Sequence, residues 1–205
     1  MLLLHHEPVP QLTRQAQAAA ASNASREALC ALLEKLHIPH YAMQKTPEGR
    51  PFFAKALTFT PPFDFSLTHS TSLAAAAILT DEEGGRTPRI GIDAEPLSPA
   101  RTKARISAFC ARFFGEHEKA LVAEANDPQI AFLTVFTRKE AYAKYCGDGL
   151  AKHLRATDCC APDFAARAGV RFITLIAAEH CLSLCLPCAF KDKPTFLAPT
   201  SYILL

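Results

Sequence analysis

Two short segments hold the chemistry that this chain could do. Gly91-Ile92-Asp93-Ala94-Glu95 supplies two carboxylates, and Phe136-Thr137-Arg138-Lys139-Glu140-Ala141-Tyr142-Ala143-Lys144 supplies a third carboxylate and a lysine. Carboxylate oxygens suit a hard cation such as Mg²⁺, and a lysine beside them suits phosphate oxygens, so together they are the parts of a metal-assisted phosphoryl-transfer site. Each part also has an ordinary explanation. Glu140 and Lys144 have the spacing of a solvated helix pair, worth a few tenths of a kcal/mol, and acids at a strand end commonly face water. Their joint occurrence favours a site.

The elements that must position these residues are readable. Arg89 to Glu95 is short and β-branched, as in a strand entering a buried sheet, and alternation puts Asp93 and Glu95 on the same side. Pro96 and Pro99 stop regular pairing, so the strand opens into a loop at the site. Asp127 as N-cap, Pro128 in the first turn, an apolar stripe through Ile130, Leu133, Phe136 and Ala141, and Gly147 as stop signal predict a helix from Pro128 to Cys146. That helix carries Glu140 and Lys144 on one face.

Around them the pattern predicts helices over Gln11 to Ala21, over Ser25 to Leu36 with Ser25 as N-cap, over Arg101 to Phe114 and over Glu116 to Ala125. Thr58 to Asp64 reads as a proline-punctuated loop. Phe65 to Thr68 and Leu73 to Thr80 read as strands, the latter ambiguous with helix because of Ala74 to Ala77. A turn at Gly84-Gly85 separates two halves, and Val170 to Ala177 with His180 to Leu186 forms an antiparallel pair joined by a tight connection. The apolar tail from Phe196 to Leu205 suits an edge strand or a partner-facing segment.

Four elements in order carry a family resemblance. The chain resembles 4′-phosphopantetheinyl transferases of the surfactin-synthetase-activating (Sfp) type, which have a strand ending in Gly-x-Asp-x-Glu and a helix with Trp/Phe-x-x-Lys-Glu-Ala/Ser-x-x-x-Lys. The matches here are Gly91, Asp93 and Glu95, then Phe136, Lys139, Glu140, Ala141 and Lys144, continued by Gly147-Asp148-Gly149-Leu150 against the family's Gly-x-Gly-Leu. Upstream, Gly49-Arg50-Pro51 is similar to a Gly-Lys-Pro element and Thr68-His69-Ser70 to Ser-His-Ser, with Arg50 in place of Lys and Thr68 in place of Ser. Phe136 stands where many members have Trp. The resemblance runs from Gly49 to Leu150.

The resemblance implies an α+β fold of two similar halves in a pseudo-twofold arrangement, residues 1–87 and 88–205, with coenzyme A in the cleft between them. It implies that Asp93, Glu95 and Glu140 hold Mg²⁺, and that Glu140 acts as general base towards a serine of an apo acyl or peptidyl carrier protein. Lys144 would bind the phosphates and stabilise departing 3′,5′-ADP. Arg50, Thr68 and His69 are assigned to coenzyme A, each with a plain alternative as a turn, strand or satisfied polar residue. The 3′-phosphate has only Arg14 and Arg26 as candidates in the first half, Phe136 is expected to pack, and Lys139 is open between phosphate and a carboxylate. A metal-dependent phosphodiester hydrolase and a non-catalytic carrier-binding relative are the alternative readings.

Composition fits an ordinary globular protein: 205 residues, 49% apolar and 20% charged, with a net charge of +2 whose basic excess lies beyond residue 100. Arg101, Lys103, Arg105 and Arg112 concentrate it. The charge is modest and no recognition motif accompanies that cluster, which speaks against nucleic acid; steering of an acidic carrier helix by Arg101, Lys103 and Arg105, a region that borders the carrier-docking surface in the resembling family, is the preferred expectation. No stretch has the length of a membrane span and the start lacks a signal-peptide pattern, so a cytoplasmic monomer is expected, with its eight cysteines as thiols. His180-Cys181-x3-Cys185-x2-Cys188 imitates an iron-sulfur or zinc loop. Its alternation of large apolar and small residues, closed by Pro187, reads instead as a strand.

Overall fold

The computed structural model describes residues 2–8, 14–39, 42–54, 61–70, 72–81, 88–98, 101–177, 179–191, 195–196 and 202–204, with backbone only at 2–8, 14, 15, 17, 18, 196 and 202–204. The described chain is α+β. One four-stranded sheet has the order β4-β5-β1-β9, formed by β1 (Leu2–Pro8), β4 (Phe63–His69), β5 (Leu73–Thr80) and β9 (Thr195–Phe196). A second, of order β10-β7-β8-β6, is formed by β6 (Gly91–Pro96), β7 (Val170–Ala177), β8 (His180–Pro187) and β10 (Tyr202–Leu204). A small hairpin pairs β2 (Met43–Lys45) with β3 (Pro51–Phe53). The helices are α1 (Arg14–Lys35), α2 (Lys103–Phe113), α3 (Glu116–Glu124), α4 (Pro128–Cys146), α5 (Leu150–Ala156) and α6 (Phe164–Ala168).

The alanine run Ala74 to Ala77 is strand because both of its faces are claimed. Leu73, Ala75, Ala77 and Leu79 face the second sheet, packing with Ile90, Ile92, Leu182 and Leu184. Ala76 and Ile78 pack with Ala28, Leu29, Leu32 and Leu33 of α1, and Ala74 meets Ala21 and Ala24. All eight residues of β5 are buried, and the small side chains let helix and second sheet approach from opposite sides. Pairing with neighbours on both edges overrides the helix propensity of alanine.

One helix stands where two were expected. Ser25 does not cap a new helix; its hydroxyl donates to the carbonyl of Ser22 at 2.9 Å, inside a continuous α1. The predicted start near Gln11, the start of the Thr58 loop, Pro99 and the Gly84-Gly85 divide lie outside the described residues. The C-terminal segment joins both sheets: Thr195 and Phe196 run parallel to Leu3 and Leu4 in the first, whereas Tyr202 to Leu204 pairs with β7 in the second.

The two sheets meet at their edges through side chains. On β4, Asp64, Ser66 and Thr68 point the same way, and they accept hydrogen bonds from the amides of Ile90, Ile92 and Ala94 at 2.9, 3.1 and 3.3 Å. The period-two alternation of one strand thereby satisfies the orphan amides along the free edge of β6. On its other side β6 is paired with β8, with Asp93 opposite Ser183. The Cys181 to Leu186 run is strand, as its alternation predicted, and is buried throughout.

Candidate active site

Gly91 decides how closely α4 can cross β6. A Cβ there would collide with the carbonyl oxygen of Ala141 and lie 2.7 Å from the amide nitrogen of Tyr145. The missing side chain lets the helix lie against the strand and brings Glu140 and Lys144 over Asp93. Asp127 caps α4 by accepting from Gln129 and Ile130 amides, and Gly147 ends it at φ 83. Phe136 stacks on Phe132 and meets Phe109 edge-on, so it fixes the helix by packing.

Asp93 is the buried centre of the site, 6% exposed. Its Oδ1 accepts from Lys144 Nζ at 2.8 Å and from Thr68 Oγ1 at 3.1 Å, whereas its Oδ2 is buried without a hydrogen-bond partner. Lys144 also donates to the Ile92 carbonyl at 2.9 Å. Glu95, half-buried, is ion-paired with Arg101. Burial, then the charge of Asp93, raises the Glu95 carboxyl despite Arg101. Glu140 feels the same neighbourhood more strongly: burial and Asp93 raise it to about 7, Glu95 adds to the effect and Lys144 opposes it.

The structure therefore brings Asp93, Glu95, Glu140 and Lys144 into one electrostatic cluster. It does not close the three carboxylates into a ligand shell. Among the described residues, the potential ligand atoms within 4.8 Å of one another belong instead to Cys146, Asp148 and His153. Mutual repulsion accounts for the open arrangement, with Lys144 drawing Asp93 and Arg101 drawing Glu95. An all-oxygen donor set with one orphaned, buried carboxylate oxygen fits a hard divalent cation.

Beside the cluster lies a cleft of about 290 Å³ lined by residues of α1, the β2–β3 hairpin, β4 and α4. Arg26 of α1, Lys45 of β2, Arg50 and His69 line it together with Glu140 and Lys144. Burial and then the Lys144 charge hold the His69 imidazole below its usual range, so it is neutral near pH 7. Arg50 spans the halves: its guanidinium donates to Asp64, to the Lys144 carbonyl and, at 3.3 Å, to the Ile90 carbonyl. Thr68 is buried away from the cleft wall and serves Asp93 and the Ala94 amide. The side chain of Arg14 lies outside the described residues.

Sequence reasoning missed Lys45, Ser22 and Ser25 on the cleft wall. Lys45 sits in a three-residue strand with no motif around it, Ser25 read as an N-cap, and Ser22 carries no signal of its own. Lys139 pairs with a carboxylate: fully buried, its Nζ reaches both oxygens of Glu118 at 2.8 and 2.7 Å and also the Thr157 carbonyl. Glu118 further accepts from the amides of Gly115 and Cys159, each at 2.8 Å. This pair locks α3 and the segment after α5 onto α4, behind the site.

Comparison with known proteins agrees with this architecture. Residues 89–185 match the family model of the 4′-phosphopantetheinyl transferase superfamily. The chain is also 30% identical over 138 residues to the 4′-phosphopantetheinyl transferase HetI of Nostoc sp. (strain PCC 7120), covering 64% of this chain and 54% of that relative. The chain thus spans about half the length of this curated relative. The matched segment contains β6 and α4, the two elements that carry Asp93, Glu95, Glu140 and Lys144. The similarity to the 4′-phosphopantetheinyl transferase superfamily is thus carried by residues 89–185, which hold the carboxylates and the lysine of the site.

Proposed function

We propose that this protein transfers the 4′-phosphopantetheine arm of coenzyme A to a serine of an apo acyl or peptidyl carrier protein. The observation that carries the proposal is the cluster of Asp93, Glu95, Glu140 and Lys144, of which Glu140 and Lys144 line a cleft that Arg26, Lys45 and His69 also line. Basic groups and a carboxylate cluster sharing one cleft suit a nucleotide whose pyrophosphate must reach a metal. Asp93, Glu95 and Glu140 are the residues to hold Mg²⁺, which when bound neutralises charge on the pyrophosphate.

Within that arrangement each residue has a stated task. Glu140, with a carboxyl raised to about 7, takes the proton of the incoming serine hydroxyl, directly or through a water. The serine oxygen forms its bond to the β-phosphorus as the bond to the α-phosphate oxygen breaks, releasing 3′,5′-ADP. Lys144, now paired with Asp93, stabilises the negative charge that develops on that leaving phosphate. Arg26 and Lys45 offer charge to the nucleotide phosphates, and neutral His69 offers a hydrogen bond.

Thr68 and Arg50 act one step back from coenzyme A. Thr68 orients Asp93, and Arg50 ties the cleft walls together. For the carrier, Lys103 and Arg105 are exposed at the start of α2, while Arg101 is shared with Glu95; an acidic carrier helix docking there would sit next to the carboxylate cluster. Among the described residues, no helix is long and apolar enough to cross a membrane.

The experiment is intact-mass measurement of an apo carrier protein incubated with this protein, coenzyme A and Mg²⁺. Transfer adds about 340 Da to the carrier. Carriers from fatty-acid and nonribosomal pathways that all keep their apo mass would refute the transferase reading, and loss of such an arm from holo carrier would favour a hydrolase.

A further inference from the structure

The turn after α4 gathers a second set of metal-ligand side chains, chemically unlike the first. Cys146 is the last residue of α4, Gly147 turns the chain in the left-handed region, and Asp148 and His153 follow across the N-terminus of α5. One ligand atom from each of Cys146, Asp148 and His153 lies within 4.8 Å of the others. Thiolate, imidazole and carboxylate together are the donor set of Zn²⁺ and similar first-row metals, whereas Mg²⁺ prefers oxygen alone.

Neighbours already orient these ligands. His153 is buried, and its Nδ1 faces Thr157 Oγ1 at 3.2 Å, which leaves Nε2 directed at Asp148 Oδ1 at 2.5 Å. A proton on Nδ1 shared with the threonine hydroxyl is the usual support for a histidine that ligates through Nε2. Tyr142 packs its ring edge-on to His153 and hydrogen-bonds the Cys146 thiol. Lys152 holds the second oxygen of Asp148.

We propose that Cys146, Asp148 and His153 form a binding site for Zn²⁺ or a similar borderline-soft divalent ion, with a water as fourth ligand. Zinc-ligand bonds of about 2.0 to 2.3 Å set ligand-ligand separations of about 3.3 to 3.7 Å in a tetrahedron. The imidazole and carboxylate therefore open by about 1 Å to admit the ion, while Cys146 and Asp148, both partly exposed, leave an entry path. Cys146 gives up its thiol proton to solvent and binds as thiolate. Gly147, Gly149 and Leu150 line the cleft, so an ion here stiffens one lip of it. The site shares no ligand with the carboxylate cluster and stands independently of the transferase reading.

The test titrates Co²⁺ into the metal-stripped full-length protein and then displaces it with Zn²⁺. One equivalent of Co²⁺ should produce a thiolate-to-metal charge-transfer band and tetrahedral ligand-field absorption, and Zn²⁺ should abolish both. Ions bound by Asp93, Glu95 and Glu140 give no thiolate band. Cys146→Ser should remove the band, and Asp148→Asn and His153→Asn should each weaken Zn²⁺ affinity at least tenfold, whereas Cys188→Ser changes nothing; circular dichroism confirms folding of each variant. Absence of the band in the unmodified protein, its survival in Cys146→Ser, or unchanged affinity in both other variants would overturn the site.

Discussion

At the residue scale, the account turns on how three carboxylates coexist. Glu140 is raised to about 7 chiefly by burial and next by Asp93, against about 4.3 for an unfolded glutamate. The folded, metal-free protein therefore binds more protons than the unfolded chain between those values, so its stability falls as pH rises through that window and the loss is complete above pH 7. The cost approaches about 4 kcal/mol. Thermal melts without metal should decline from pH 5 to 7.5, Mg²⁺ should restore the loss, and Glu140→Gln should flatten the pH profile. A metal-free profile that rises over that range would show that Glu140 is not held in this environment.

Thr68 tests the same neighbourhood more gently. Thr68→Val removes the hydroxyl between Asp93 Oδ1 and the Ala94 amide, so about 1 to 2 kcal/mol of stability should be lost. Mg²⁺ affinity should weaken by severalfold while the coenzyme A KM stays near its original value. A large KM change with unaltered Mg²⁺ affinity would return Thr68 to the role that its motif position suggested. The motif position of Thr68 suggested coenzyme A binding; the side-chain direction on β4, set by packing of Phe65 against α1, makes it face β6 instead.

At the element scale, β6 and α4 were legible because their signals are local. Asp127, Pro128 and Gly147 bound the helix, and β-branched Ile90 and Ile92 before two prolines mark the strand. The seven-residue α5 and five-residue α6 went unread because so few turns carry no periodicity. The β2–β3 hairpin, with three residues per strand, is equally silent, and with it Lys45. Nor does any local pattern reveal Glu118 as the partner of Lys139, since the two meet only through tertiary packing.

Two substitutions probe these elements. Gly91→Ala forces α4 off β6 because its Cβ meets helix backbone, and a loss of about 3 kcal/mol or more is expected, with Mg²⁺ binding weakened in parallel. Lys139→Met strands the buried Glu118 carboxylate, at a cost of about 3 to 5 kcal/mol. Urea denaturation measures both. A Gly91→Ala protein as stable as the parent would mean that the crossing of helix and strand is looser than described.

At the scale of the whole molecule, two sheets are joined edge to edge, and the cleft beside the site is lined by residues of α1, the β2–β3 hairpin, β4 and α4. The Asp64-Ser66-Thr68 ladder and the Arg50 bridge connect the sheets, so the distance between the basic residues and the carboxylate cluster is set by hydrogen bonds and not by a flexible linker. The order of the site-bearing elements was legible from the motifs, but the return of Thr195 and Phe196 to the first sheet was not, because two residues leave no pattern. Exposed Lys103 and Arg105 should matter for capture more than for chemistry. Replacing both with Ser should raise the carrier KM and reduce its salt dependence, leaving the coenzyme A KM unchanged.

The most direct measurement is the rate of carrier mass gain for the parent protein, Asp93→Ala and Glu140→Ala, each shown to be folded, in saturating coenzyme A and Mg²⁺. The account predicts a gain of about 340 Da with the parent and a rate at least about a hundredfold lower in each variant. Equal rates in all three proteins would contradict it and move the chemistry away from the carboxylate cluster.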